Sequence, residues 1–163
     1  MDNKKHKKLL IFYGSLTGFI MLAIFLMSAQ DGNDSGDLSF GFLKSLIGNI
    51  LSKILPPLTD KGFEYDIRKY AHMTEYLCLA VSSSLFFLEL LRGKKARAAL
   101  AVLSSWIFSF LYACSDEFHQ LFIPGRAGRF TDVMIDSIGI SCGVIIVLLV
   151  FLIHSHIKKR KTN

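Results

Sequence analysis

Four long runs with very little charge, at 9–29, 71–91, 98–116 and 133–153, decide what this chain can fold into. Each is long enough to cross the hydrocarbon core of a bilayer, about 30 Å thick, as a helix rising about 1.5 Å per residue. Inside lipid every backbone N–H and C=O has to be satisfied within the span, and a helix does so by itself. Composition agrees: 52% of the 163 residues are hydrophobic, and there are only three prolines. The mean hydropathy of +0.42 is too high for an ordinary soluble domain of this size. The expectation is one all-α domain over 1–163, an integral membrane four-helix bundle whose first partner is the lipid bilayer. The first run has a rival reading as a signal peptide, because MDNKKHKK precedes it and Ala29 offers a small residue before a cleavage point. Its length and Met27, where a small side chain is wanted, favour a retained helix.

Lys and Arg set the expected orientation. Twelve of the 19 lie in three short pieces: Lys4, Lys5, Lys7 and Lys8; Arg92, Lys94, Lys95 and Arg97; Lys158, Lys159, Arg160 and Lys161. On a four-span path all three fall on one side, which the positive-inside rule makes cytoplasmic, together with both termini. Basic charge split this way does not make the continuous basic face of a nucleic-acid-binding domain, so no nucleic-acid partner is expected.

The opposite side carries the long connection 30–70 and the short one 117–132. Within the first, Leu43, Leu46, Ile47, Ile50, Leu51, Ile54 and Leu55 recur at helical spacing, with Lys44, Ser45, Asn49, Ser52 and Lys53 on the other face. Pro56 and Pro57 end that pattern. The expectation is an amphipathic helix over about 38–55 lying in the interface or against the bundle, preceded by the turn-rich DGNDSGD. Cys78, Cys114 and Cys142 all fall in spans, so they build no disulfide framework and read as packing residues. Small residues at Gly14 and Gly18, and again at Gly139 and Gly143, are spaced for close helix approach, the second pair within the bundle.

On this path the unusual polar residues meet at one end. YDIRKYAHMTEY, at 65–76, opens the second helix; SDEFHQ closes the third; GRFTDVMID opens the fourth. His72, Glu75 and Tyr76 share a helical face, with Arg68 and Lys69 a turn earlier. Asp116, His119 and Gln120 have the same relation, as do Asp132 and Asp136. PGRAG reads as a turn that turns Arg126 towards the same space. A plainer account makes Arg68, Lys69, Glu117 and Arg129 hydrated span ends. It does not extend to Glu75 and Asp136, several residues inside their spans, where an unpaired carboxylate costs on the order of 2 to 3 kcal/mol or more. These two are expected to face the interior and pair with Arg or His; a purely structural ion pair is the alternative.

RKYAHMTEYLCLA and SDEFHQLFIPGRAGRFTDVMIDSIGISCG resemble the two signature regions of the VanZ-like family of bacterial membrane proteins, and the SAQ of Ser28 to Gln30 is similar to that family's Ser-x-Gln. The resemblance covers about 28–143, with the motifs in the family's order. It implies a small multi-pass protein of the bacterial cytoplasmic membrane, in a family some of whose members confer resistance to glycopeptide antibiotics such as teicoplanin. Carried over, the family's polar positions are Lys69, His72, Glu75 and Tyr76, then Glu117 and Gln120, then Pro124, Gly125, Arg126, Asp132, Asp136 and Gly139.

From these residues the candidate catalytic set is His72, Glu75, Asp116, Glu117, Gln120, Asp132 and Asp136. The candidate ligand-binding set is Lys69, Tyr76, Arg126 and Gln30. A histidine beside carboxylates can act as a general base, while Arg126 and Lys69 suit an anion. The leading expectation is a site for an anionic lipid-linked cell-wall precursor, such as one carried on a polyprenyl phosphate. One alternative is a non-catalytic scaffold or binding partner of an envelope protein, since no activated Ser or Cys nucleophile is evident. The other is a metal-dependent hydrolase using His72, Glu75, Asp116, Glu117 and His119. No HExxH is present, so a divalent metal is not favoured and neither cofactor nor metal ligand is assigned.

Overall fold

The computed structural model describes residues 3–29, 60–94 and 96–162, with the side chains of 3–29, 69–94, 96–158 and 160. Four helices make a bundle: α1, Asn3–Ser28; α2, Asp60–Leu90; α3, Arg97–Gln120; and α4, Phe130–Thr162. All four contain a stretch long and apolar enough to cross a membrane. The predicted spans are each found, but the helices run past them, α2 beginning at Asp60 rather than 71 and α4 reaching Thr162 rather than 153. Hydropathy marks only the part of a helix that lipid has to cover. At about 1.5 Å per residue, the 33 residues of α4 exceed the hydrocarbon thickness, so the helix tilts or projects into water. The expected amphipathic helix over 38–55 lies outside the described residues.

α2 is the centre of the bundle: 44% of its span is buried, against 11% for α1, which sits at the edge. α2 shares its largest interface with α4 and also packs on α3 and α1. The α2–α4 contact follows from two glycines one turn apart. A β-carbon on Gly139 would overlap the Met73 carbonyl, and one on Gly143 would stand 2.7 Å from the Leu77 carbonyl oxygen. Gly139 and Gly143 therefore serve packing within the bundle, as read from their spacing. The pair on α1 divides. Gly14 meets the Phe86 ring, with 3.3 Å left for a β-carbon, whereas Gly18 has nothing within 4 Å among the described residues.

Polar ties hold the remaining surfaces in register. Buried Ser83, Ser84, Ser105 and Ser109 join α2 to α3 midway, with Ser83 Oγ 2.6 Å from Ser105 Oγ and Ser105 donating to the Ala80 carbonyl. Such interhelical bonds contribute about 0.6 kcal/mol each on average, because the separated helices also find partners. Trp106 Nε1 donates to Ser141 Oγ between α3 and α4, and Tyr112 donates to the Met21 carbonyl of α1. At the far end, Glu89 accepts from Arg92 at 2.7 Å and lies 2.8 Å from His6 Nδ1, fastening the start of α1 to the end of α2. Outward-facing Phe12, Phe19, Leu111, Leu149 and Val150 are exposed, as lipid contact requires. Cys78 and Cys142 are exposed and Cys114 half-buried, all as free thiols.

Candidate functional site

At the end opposite the His6–Glu89 tie, α1 finishes, α2 enters its span, α3 finishes and α4 begins. The turn between α3 and α4 is built from local chemistry. Pro124 and Gly125 are its central residues, Gly125 takes φ +71°, and the Arg126 N–H donates to the Ile123 carbonyl at 3.1 Å. These are the features of a type II turn, which needs a residue tolerant of positive φ at its third position. Gly128 then passes so close to the Glu117 carbonyl that a side chain there has no room. The turn is thereby pressed onto α3, and Arg126 points back at the bundle.

The convergence read from the sequence is seen, and it has two layers. The lower one is a hydrogen-bond knot between α1 and α3. Ser28 Oγ donates to Asp116 Oδ2 at 2.7 Å, and Gln120 Nε2 donates to both Ser28 Oγ and Asp116 Oδ2 at 3.1 Å. Above it, Arg126 donates to the Met27 carbonyl at 2.9 Å, in the last turn of α1 where helical carbonyls generally need outside partners. Glu117 Oε2 accepts from the Arg129 backbone N–H at 2.9 Å.

Around these ties opens a cleft of about 170 Å³, lined by Lys69 and His72 of α2, Glu117 and Gln120 of α3, Arg126 and Arg129 of the turn, and Asp132, Ile135 and Asp136 of α4, among others. Lys69 Nζ is 3.9 Å from Asp132 Oδ1, and His72 Nδ1 is 3.8 Å from Glu75 Oε2. Asp136 is 1% exposed, and neither of its carboxylate oxygens has a hydrogen-bond partner among the described residues. Glu75 Oε2 and the Tyr76 hydroxyl are likewise buried without one.

The cleft sorts the candidates. Lys69, His72, Glu117, Gln120, Arg126, Asp132 and Asp136 line it. Glu75, Tyr76 and Asp116 sit behind the lining. Tyr76 is fully buried with its ring 6.4 Å from that of Tyr112, and Asp116 is held by Ser28. His119 turns away, its ring 4.8 Å from that of Phe25 on α1. Among the described residues no three His, Cys, Asp or Glu side chains are arranged to hold a metal ion. Gln30 and the side chain of Arg68 lie outside the described residues. Ser28 is a tie that sequence marks only faintly, as a hydroxyl closing an apolar run two residues from Gln30. Nothing local pointed to the Met27 carbonyl as the partner of Arg126.

A second, more apolar groove of about 190 Å³ adjoins the cleft on the α3–α4 side. It is lined by Cys114, Phe118, Leu121, Phe130 and Val133, and it shares Glu117 and Arg129 with the cleft.

Four helices long and apolar enough to cross a membrane, with a charged cleft sunk into one end of the bundle they form, define a multi-pass membrane protein. The VanZ/LLP1 family matches residues 13–152, and the chain belongs to that family. Neither the curated proteins nor the solved structures contain a match to it.

Proposed function

We propose that this protein binds the anionic head of a lipid-linked cell-wall precursor at an outward-facing site in the cytoplasmic membrane, and that it contributes to glycopeptide resistance through that binding. The observation that carries this reading is the pairing of the two cavities. Lys69, His72, Arg126 and Arg129 bring basic groups to a cleft whose neighbour is an apolar groove with Phe118 and Phe130 in its wall. An amphiphile is the ligand type suited to both: its phosphate meets guanidinium and ammonium groups, and its chain lies along the groove towards lipid. A water-soluble head gains only the first half, whereas each buried methylene adds about 0.8 kcal/mol. Among the described residues the cleft lining holds no serine, threonine or cysteine, so the reading is one of binding rather than of attack by a hydroxyl or thiol. The outward orientation is supported by the twelve basic residues at the other end of the path.

The test is titration of the purified protein with a polyprenyl phosphate and with its water-soluble head-group analogue. Tighter binding of the lipid form, weakened by Arg126→Ala, is expected. Equal affinities, or an unaffected Arg126 variant, would favour the scaffold reading, in which an envelope protein is the partner.

A further inference from the structure

The cleft is not uniformly basic. Its rim carries Lys69, Arg126 and Arg129, but its floor is Asp136, 1% exposed, lining the cleft and without a hydrogen-bond partner for either oxygen among the described residues. Glu117, Asp116, Asp132 and Glu75 all lie near enough to act on it electrostatically, and all carry the same sign when ionised. A buried carboxylate in that company needs a donor, and a ligand that is only an anion would make its position worse. No three candidate metal-ligand side chains are arranged around it among the described residues.

We propose that the head bound here is zwitterionic, with its anionic group on the Lys69 and Arg126 rim and a primary ammonium seated on Asp136. This rests on the anion-binding reading of the rim and extends it to the chemical class of the head. An ammonium brings three N–H donors and a positive charge to a carboxylate with two accepting oxygens. The depth fits. Asp132, beside Lys69 at the rim, and Asp136 are one turn apart on α4, a rise of about 6 Å, which a two-carbon linker between phosphate and amine can bridge. The apolar groove beside Arg129 lets the chain leave sideways while the head points inward.

The experiment titrates the full chain in detergent with short-chain phosphatidylethanolamine, phosphatidic acid and phosphatidylcholine, each with and without EDTA. Methylation removes the N–H donors while keeping the charge, so phosphatidylethanolamine should bind about tenfold or more tighter than phosphatidylcholine, and tighter than phosphatidic acid. Asp136→Asn should bring the ratio of the ethanolamine to the choline form close to one. Phosphatidic acid binding as tightly as phosphatidylethanolamine, as expected if Asp136 keeps a proton, overturns the inference and leaves the anion reading standing. So does equal binding of the ethanolamine and choline forms, or binding abolished by EDTA. If none of the three binds, the inference falls, and the polyprenyl phosphate titration decides the anion reading separately.

Discussion

Ser28 and Asp116 are 88 positions apart, yet the Ser28 hydroxyl donates to the Asp116 carboxylate at 2.7 Å and both side chains are buried. The bond fixes the end of α1, the least enclosed helix, to α3 at the level of the cleft. Removing the hydroxyl leaves a buried carboxylate with Gln120 as its remaining donor among the described residues, a loss of about 1 to 3 kcal/mol. Ser28→Ala is therefore expected to lower the unfolding midpoint in detergent. Because Gln120 also donates to Ser28, the Ser28→Ala and Gln120→Ala losses should not add, differing from their sum by at least about 0.5 kcal/mol. An unchanged midpoint in Ser28→Ala would show the bond to be dispensable.

The glycines allow a sharper contrast, because the same motif occurs on two helices. Gly143→Leu forces a side chain against the Leu77 carbonyl and Ala80, so α2 and α4 separate along the most extensive interface of the bundle. A loss of roughly 3 kcal/mol or more, or failure to fold, is expected from overpacking at backbone. Gly18→Leu meets nothing within 4 Å among the described residues and lies on an exposed face, so the midpoint should stay within about 0.5 kcal/mol. Thermal unfolding of the two variants side by side checks this, and equal losses would contradict the packing described.

That contrast also shows what the sequence can and cannot convey. Number and order of the membrane-length helices among the described residues were legible because lipid imposes one rule on every crossing: about 20 apolar residues for each. The meeting of 69–76, 116–120 and 126–136 followed from that path, with no further input. Which of two glycine pairs touches a neighbour was not legible, because spacing alone does not say which face is covered. Asp116 and His119 illustrate the same limit. They lie on one helix near Gln120, but Asp116 faces Ser28 and His119 faces Phe25, and only the rotation of α3 about its axis separates those fates. The expectation that Glu75 and Asp136 pair with Arg or His divides too. Glu75 has His72 at 3.8 Å, whereas Asp136 has no hydrogen-bond partner among the described residues.

Orientation is open to a direct measurement. Lys94 is exposed at the basic end and Ala127 is exposed in the turn at the cleft. With the native cysteines replaced by serine or alanine, a cysteine at Ala127 should react with an impermeant thiol reagent added to intact cells. One at Lys94 should react only after the membrane is opened. The reverse pattern would invert the protein and turn the cleft inward.

Arg126 and Arg129 separate charge from position within the site. Both line the cleft, but Arg126 is half-buried and also donates through its guanidinium to the Met27 carbonyl, whereas Arg129 is exposed and its tie to Glu117 runs through its backbone N–H. Arg129→Ala keeps that backbone bond and removes a charge at an exposed position, so ligand affinity should fall by about threefold or less. Arg126→Ala removes a planar donor fork that reaches both the α1 carbonyl and the cleft, and affinity should fall by about tenfold or more. Arg126→Lys decides between charge and geometry. Lysine keeps the charge but offers a point donor on a flexible stem, which cannot hold the helix carbonyl and an anion with one rigid group. Its affinity should therefore lie nearer the alanine variant than the parent, with the folded state intact by thermal unfolding. Parental affinity in Arg126→Lys would mean that the rim acts through net charge alone.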